Sequence, residues 1–169
     1  MQAIGGKLRV ENSFISSNGT FDATGGGIYL SAGASLDAVY LTMFDNIAAA
    51  GNPFSVACDA DPEKETVTVR NSLAINKGGN TMCDDATIQT SAWSDPVPGT
   101  TNMTMTFVGS EQYLAEDPVS DGVYRPIAGT VLGSLATRKN CDPLVDFDGD
   151  ARPEAESASD YAGADRPAL

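Results

Sequence analysis

The sequence predicts an all-β fold in which short strands wind into a coil, each turn resting on the last and pairing with it in parallel. Three observations lead there. The segments "KLRVENSFISSN" (7–18), "SLDAVYLTMFDN" (35–46) and "TVTVRNSLAIN" (66–76) share a pattern of alternating apolar residues, a small or polar position and a closing Asn. Their starts at Leu8, Leu36 and Val67 are 28 and 31 residues apart, inside the range of about 20 to 50 residues typical of repeat units that cannot bury their apolar face alone. Between the runs lie Gly, Asn and Asp, the residues of turns, and no long amphipathic helix is visible.

Taken in order, the first repeat alternates Leu8 and Val10 with polar neighbours, which turns one strand face inward. It shares Val-x-Asn-Ser plus an apolar residue with the third, as Val10, Asn12, Ser13, Phe14 and Val69, Asn71, Ser72, Leu73. "GGGIYL" (25–30) reads as a turn releasing a further strand, with its glycines expected at positive φ where the chain changes direction. Parallel stacking sets Leu8, Leu36 and Val67 in an interior ladder. It also sets Asn18, Asn46 and Asn76 at a corner, where side-chain amides satisfy backbone groups along the stack. After the irregular "WSDPVPGT" (93–100), "TNMTMTF" (101–107) alternates like one more strand. The expected organisation is about four or five coils over 1–115, with a less regular C-terminal capping segment, 116–169, packed on the same domain.

At 169 residues the chain is long enough for one domain with a real core. Ten basic residues against 23 acidic give a net charge of -13, which repels a phosphate backbone or an anionic lipid surface and argues against nucleic acid as a partner. No apolar run approaches the roughly 18 residues of a spanning helix, so no membrane insertion is expected. With no histidine, Ser-His-Asp and Cys-His nucleophile activation and imidazole metal sites are excluded. Cys58, Cys83 and Cys141 match no zinc spacing and leave a disulfide or buried thiols as the options. Cys58 and Cys83, 25 residues apart and so about one repeat, are the expected bridge between neighbouring layers. The opening "MQAIGGKLRV" lacks the basic segment, apolar stretch and cleavage site of an export signal.

These residues resemble the right-handed, single-stranded parallel β-helix proteins of bacterial surfaces, the pectin-lyase-like solenoids, whose turns commonly read like "GGGIYL" followed by an Asn-Ser strand. The chain end resembles the choice-of-anchor Q domain family. Asp146, Asp148, Gly149, Arg152 and Pro153 match the first part of that family's terminal signature, and Asp160, Gly163, Ala164 and Asp165 the second, with one extra residue between Asp160 and Gly163. The similarity covers 117–167, although the usual Ser-Pro-Ala-Ile-Asp element is reduced to "GTVLGS". The resemblance implies a short β-helix belonging to a secreted or cell-envelope protein with a scaffold or adhesion-like role, and it carries over no catalytic residue or cofactor. It also implies that the chain is the C-terminal piece, or a shortened relative, of a larger protein.

Four sets of residues are candidates for chemistry. Asp146, Asp148 and Asp150 of "DFDGD" could cage Ca2+, but an EF-hand register with Gly149 at its sixth position places Leu144 first and Ala155 twelfth, neither a ligand. Turn formation, with Arg152 pairing to a nearby carboxylate, is the expected role of this stretch. Asp59, Asp61, Asp84 and Asp85 lie in turns about one coil apart and could work on a glycan, as acidic clusters of β-helix lyases and hydrolases do. Such chemistry needs converging carboxylates, a nearby Lys or Arg and stacking aromatics, and solvated turns are the expectation. "TVTV" and "TNMTMT" offer Thr rows like those of ice-binding solenoids, but the repeats at 8 and 36 lack the pair. The expected function is therefore a non-enzymatic surface scaffold or binding module for a glycan or surface ligand, with a carbohydrate-active fragment as the alternative. The unpaired strand edges of a first coil also predict an end-to-end homodimer through the N-terminal coil.

Overall fold

The computed structural model describes residues 1–20, 22, 25–49, 55–59, 64–76, 83, 86–94, 96–97, 101–116 and 124–167. Among these, regular structure is β-strand apart from two short 3-10 helices. Strands β1 (Gln2–Ile4) and β2 (Lys7–Ser16) form a first tier, and β3 (Ile28–Ser31) and β4 (Ser35–Phe44) a second. A third holds β5 (Val56–Cys58), β6 (Thr66–Arg70) and β7 (Leu73–Ile75), and a fourth β8 (Thr87–Gln89) and β9 (Ala92–Trp93). β10 (Met103–Thr104) pairs onto β9. One sheet runs β1-β3-β5, and a larger one carries the other strands, with β6 and β7 both on β4. All of these pairings are parallel.

Register follows the apolar pattern. Leu8 lies opposite Leu36 and Leu36 opposite Val67, and this ladder joins Val10, Ile15, Leu30, Met43, Val69 and Trp93 in one interior. A one-residue slip would turn each of these side chains outward, so burial fixes the pairing. Trp93, the single tryptophan, is fully buried there. The Asn corner also forms. The Asn46 amide N–H donates to Asn76 Oδ1 at 2.7 Å, its Oδ1 accepts the Asn18 N–H at 3.1 Å, and its Nδ2 donates to Ile15 O at 2.8 Å.

A second column bends the large sheet. Asn12, Tyr40, Asn71 and Thr90 occupy equivalent positions and all have positive φ, between 42° and 55°. Asn adopts this conformation more readily than other L-residues, which accounts for the Asn of the shared Asn-Ser pair. The Ser that follows crosses the bend: Ser13, Ser72 and Ser91 hydroxyls donate to the carbonyls of Glu11, Arg70 and Gln89. Ser72 and Ser91 also accept backbone N–H groups from the preceding tier, those of Leu41 and Ser72.

Two expectations are corrected. Gly26 and Gly27 of "GGGIYL" are not among the positive-φ residues. Gly27 is required instead for close approach, since a Cβ there would sit 2.6 Å from the Ser55 carbonyl oxygen. The positive φ falls at Gly19, at 93°. The strand expected over "TNMTMTF" shrinks to Met103–Thr104, because the strand beneath it, β9, is itself two residues long and offers no further ladder.

Beyond β10 the chain turns through a 3-10 helix (Val108–Gln112) into an antiparallel pair, β11 (Leu114–Glu116) with β12 (Tyr124–Pro126). A second 3-10 helix (Val131–Ser134) leads to β13 (Ala136–Thr137), antiparallel to β14 (Ser159–Asp160). This segment covers the outer face of the large sheet. Leu114, Leu132, Ala136 and Ala162 pack on Val39, Tyr40, Phe44, Leu73 and Ile75 in a second core. β4 is thus covered on both faces, and every residue from Ala38 to Phe44 is buried, which explains a run that loses its alternation. Among the described residues no helix is long and apolar enough to cross a membrane.

Candidate functional site

Two groups of charged residues stand out among those described: an ion network in and beneath the C-terminal segment, and an open face at the first tiers. The network begins at the bend column. Because the left-handed residues point outward, Asn12 Nδ2 reaches the Val145 carbonyl, and Asn71 Nδ2 and Oδ1 pair with the Thr137 carbonyl and N–H at 3.0 and 3.1 Å. Arg70 makes a bidentate contact with Asp142, one arm at 2.6 Å. Both residues are buried, and Asp142 also accepts the Lys139 N–H.

Arg152 is the centre of the network. Its side chain is fully buried, donates to Asp160 at 2.9 Å and to the carbonyls of Gly163 and Ala164 at 3.0 Å, and lies 3.7 Å over the Tyr40 ring. Burial, and after it the Asp160 charge, push the Tyr40 hydroxyl well above its ordinary pKa. Gly163 lets this loop touch the sheet: its φ is 103° and a Cβ would meet Leu73 and Thr42 at 2.8 Å. Its N–H donates to the Asn71 carbonyl and the next N–H, of Ala164, to the Thr42 hydroxyl.

The acids of "DFDGD" divide among different tasks. Asp146 is buried and accepts the Asp150 N–H at 2.8 Å and the Arg166 N–H at 3.1 Å, closing the loop with Gly149 at positive φ. Asp148 pairs outward with Arg125 at 2.5 Å. Asp165 is fully buried, with Arg125 at 2.9 Å on one side and Asp146 on the other. Desolvation and the Asp146 carboxyl raise its pKa from 3.8 to about 7, with Arg125 opposing. Among the described residues no three acidic or cysteine side chains converge as a metal cage.

The open face lies at the start of β2, β4 and β6, bordered by the C-terminal segment where Arg9 donates to the Cys141 carbonyl. Lys7, Arg9, Ser35, Asp37, Thr66 and Thr68, with Leu8 and Leu36 between them, line a shallow trough of about 360 Å³. Arg9 holds both Asp37, at 2.6 Å, and Glu11, at 2.5 Å. Of the four acids expected near a glycan, Asp59 is exposed at the end of β5 and donates its N–H to the Leu30 carbonyl. Asp61, Asp84 and Asp85 lie outside the described residues. Cys58 and Cys83 form a disulfide, with Cα atoms 5.3 Å apart, and Cys141 is a free, exposed thiol.

Arg70, Asp142, Tyr40 and Arg125 join these contacts without any mark in the sequence. No local pattern marks these pairs, because their partners lie 72 residues apart for Arg70 and Asp142 and 23 apart for Arg125 and Asp148. Comparison with protein-family models, curated proteins and solved structures finds no match for this chain.

Proposed function

We propose that the chain is a short right-handed parallel β-helix serving as a non-enzymatic secreted or cell-surface scaffold and binding module. The observation that carries this reading is the stacking of equivalent residues in parallel register, with Leu8 on Leu36 on Val67 and Asn18 on Asn46 on Asn76. Such stacking yields a rigid face whose side chains repeat at strand spacing. The Cys58–Cys83 disulfide supports an oxidising compartment, where such bonds persist. The resemblance of the terminal segment to the choice-of-anchor Q domain points to the same place.

Six of the described acidic residues are held in ion pairs or loop hydrogen bonds. Asp142, Asp146, Asp160 and Asp165 fasten the C-terminal segment, while Arg9 holds Glu11 and Asp37. The lone tryptophan faces the interior and cannot stack on a sugar. The trough offers the hydroxyls of Ser35, Thr66 and Thr68 and the Lys7 ammonium beside the apolar Leu8 and Leu36, a set that can hydrogen-bond the hydroxyls of a sugar and contact its C–H face. The test is incubation with immobilised neutral and acidic polysaccharides while soluble products are measured. Retention that weakens in a Thr66→Ala, Thr68→Ala double variant, without release of reducing or unsaturated ends, is the expected result. Product release would instead establish the carbohydrate-active alternative.

A further inference from the structure

We infer that a second copy of this chain pairs head to head with the open edge of β2, antiparallel, about a two-fold axis that bisects the Asn12 bend. This rests on the stacked-tier reading above and names the partner it implies. Among the described residues β2 pairs with β4 alone, and no described strand takes up the backbone donors and acceptors along its other edge. Which residues own them follows from two bonds: Ser35 N–H donates to Gly6 O at 2.8 Å, and Ser17 N–H donates to Phe44 O at 3.0 Å. In a parallel ladder alternate residues bond to the same neighbour. Gly6, Leu8 and Val10 therefore turn their backbone groups to β4 before the bend, and Ser13, Ile15 and Ser17 after it. Arg9 and Phe14 turn theirs to the open edge.

Arg9 and Phe14 are symmetric about the point between Glu11 and Asn12. A two-fold there sets Arg9 of one copy opposite Phe14 of the other, twice, and each such pair exchanges both backbone bonds. The same operation sets Leu8 over Ile15 and Val10 over Ser13. Leu8, Val10 and Ile15 belong to the interior, and Ser13 sits beside the interior Leu41, so inside meets inside. Outside, Lys7 meets Ser16, Arg9 meets Phe14, and Glu11 meets Asn12. No like charges sit directly opposite, and the two Glu11, diagonal across the axis, are each held by the Arg9 of their own copy, which also holds Asp37 and the Cys141 carbonyl; the Arg9 stem faces an aromatic pair, since Phe147, half exposed, rests edge-on against Phe14 at 4.9 Å. A straight strand could follow only one arm of β2, because Asn12 at φ 42° turns the other away. The partner must carry the same bend with its arms reversed, and β2 of a second copy does.

Sedimentation of the 169-residue chain over a range of concentrations tests the proposal. A monomer–dimer equilibrium is expected. Arg9→Ala keeps the N–H and should leave dimerisation largely intact, whereas Arg9→Pro removes two edge bonds per dimer and should weaken it roughly a hundredfold, about tenfold for each bond. Register is read independently, in a Cys141→Ser background, by mixing Val10→Cys and Ser13→Cys chains under mild oxidation. The mixture should form an intermolecular disulfide that neither chain forms alone, with near-ultraviolet circular dichroism showing that both are folded. A monomer at every concentration overturns the proposal, and so does a dimer insensitive to Arg9→Pro and lacking the 10-to-13 cross-link. The polysaccharide assay is untouched by either result, so failure of the pairing is separable from failure of the binding-module reading.

Discussion

Asn46 and Asp165 show how single side chains carry order that no apolar contact supplies. Asn46 serves three backbone or side-chain partners from a buried position, so truncation strands the Ile15 carbonyl and the Asn18 N–H together. Asn46→Ala should destabilise the chain by about 2 to 3 kcal/mol in urea unfolding. Its role was legible, since an Asn closing three similar segments at repeat spacing has few other uses. Asp165 was matched only as part of a terminal signature, and its environment was not legible, because Arg125 and Asp146 reach it from distant positions. The folded state holds the Asp165 proton up to about pH 7, whereas the unfolded chain releases it near 3.8. The folded state thus binds more protons between those values, and the contribution is fully present below about 3.8 and lost as pH rises through 7. Thermal unfolding should show the wild type losing more stability than Asp165→Asn between pH 5 and pH 8.

At the scale of elements, two kinds of strand call for different explanations. β2, the start of β4 and β6 were visible as alternating runs because each has one face in a shared dry interior, while the rest of β4 and β7 are buried on both faces. β11 to β14 are two- and three-residue pieces, too short for periodicity, and their placement depends on the second core and on polar contacts to the sheet beneath. Arg70 with Asp142 is the clearest of these. Removing Asp142 alone leaves a buried guanidinium unpaired and should cost about 3 to 5 kcal/mol, while Arg70→Met with Asp142→Leu should recover most of that loss. The double-mutant cycle, read by chemical unfolding, measures the coupling. Tyr40 explains why the middle repeat hides its bend: a tyrosine at φ 54° breaks the Asn-Ser pattern, and the contact of its ring with Arg152 compensates.

The whole molecule is two cores back to back, one inside the tiers and one between the large sheet and the C-terminal segment. The disulfide clips the third tier to the start of the fourth, closing a loop of 25 residues. Cys58→Ser with Cys83→Ser should lower stability by about 3 kcal/mol, an effect seen equally when the wild type is unfolded in reductant. The fully enclosed indole of Trp93 belongs to the first core alone, while Tyr113, Tyr124 and Tyr161 border the second. The molecule consequently carries its own optical gauge. A blue-shifted emission band will redden only when water enters the tiers, so spectra taken during denaturation can time the opening of that chamber apart from the peeling of the segment outside it.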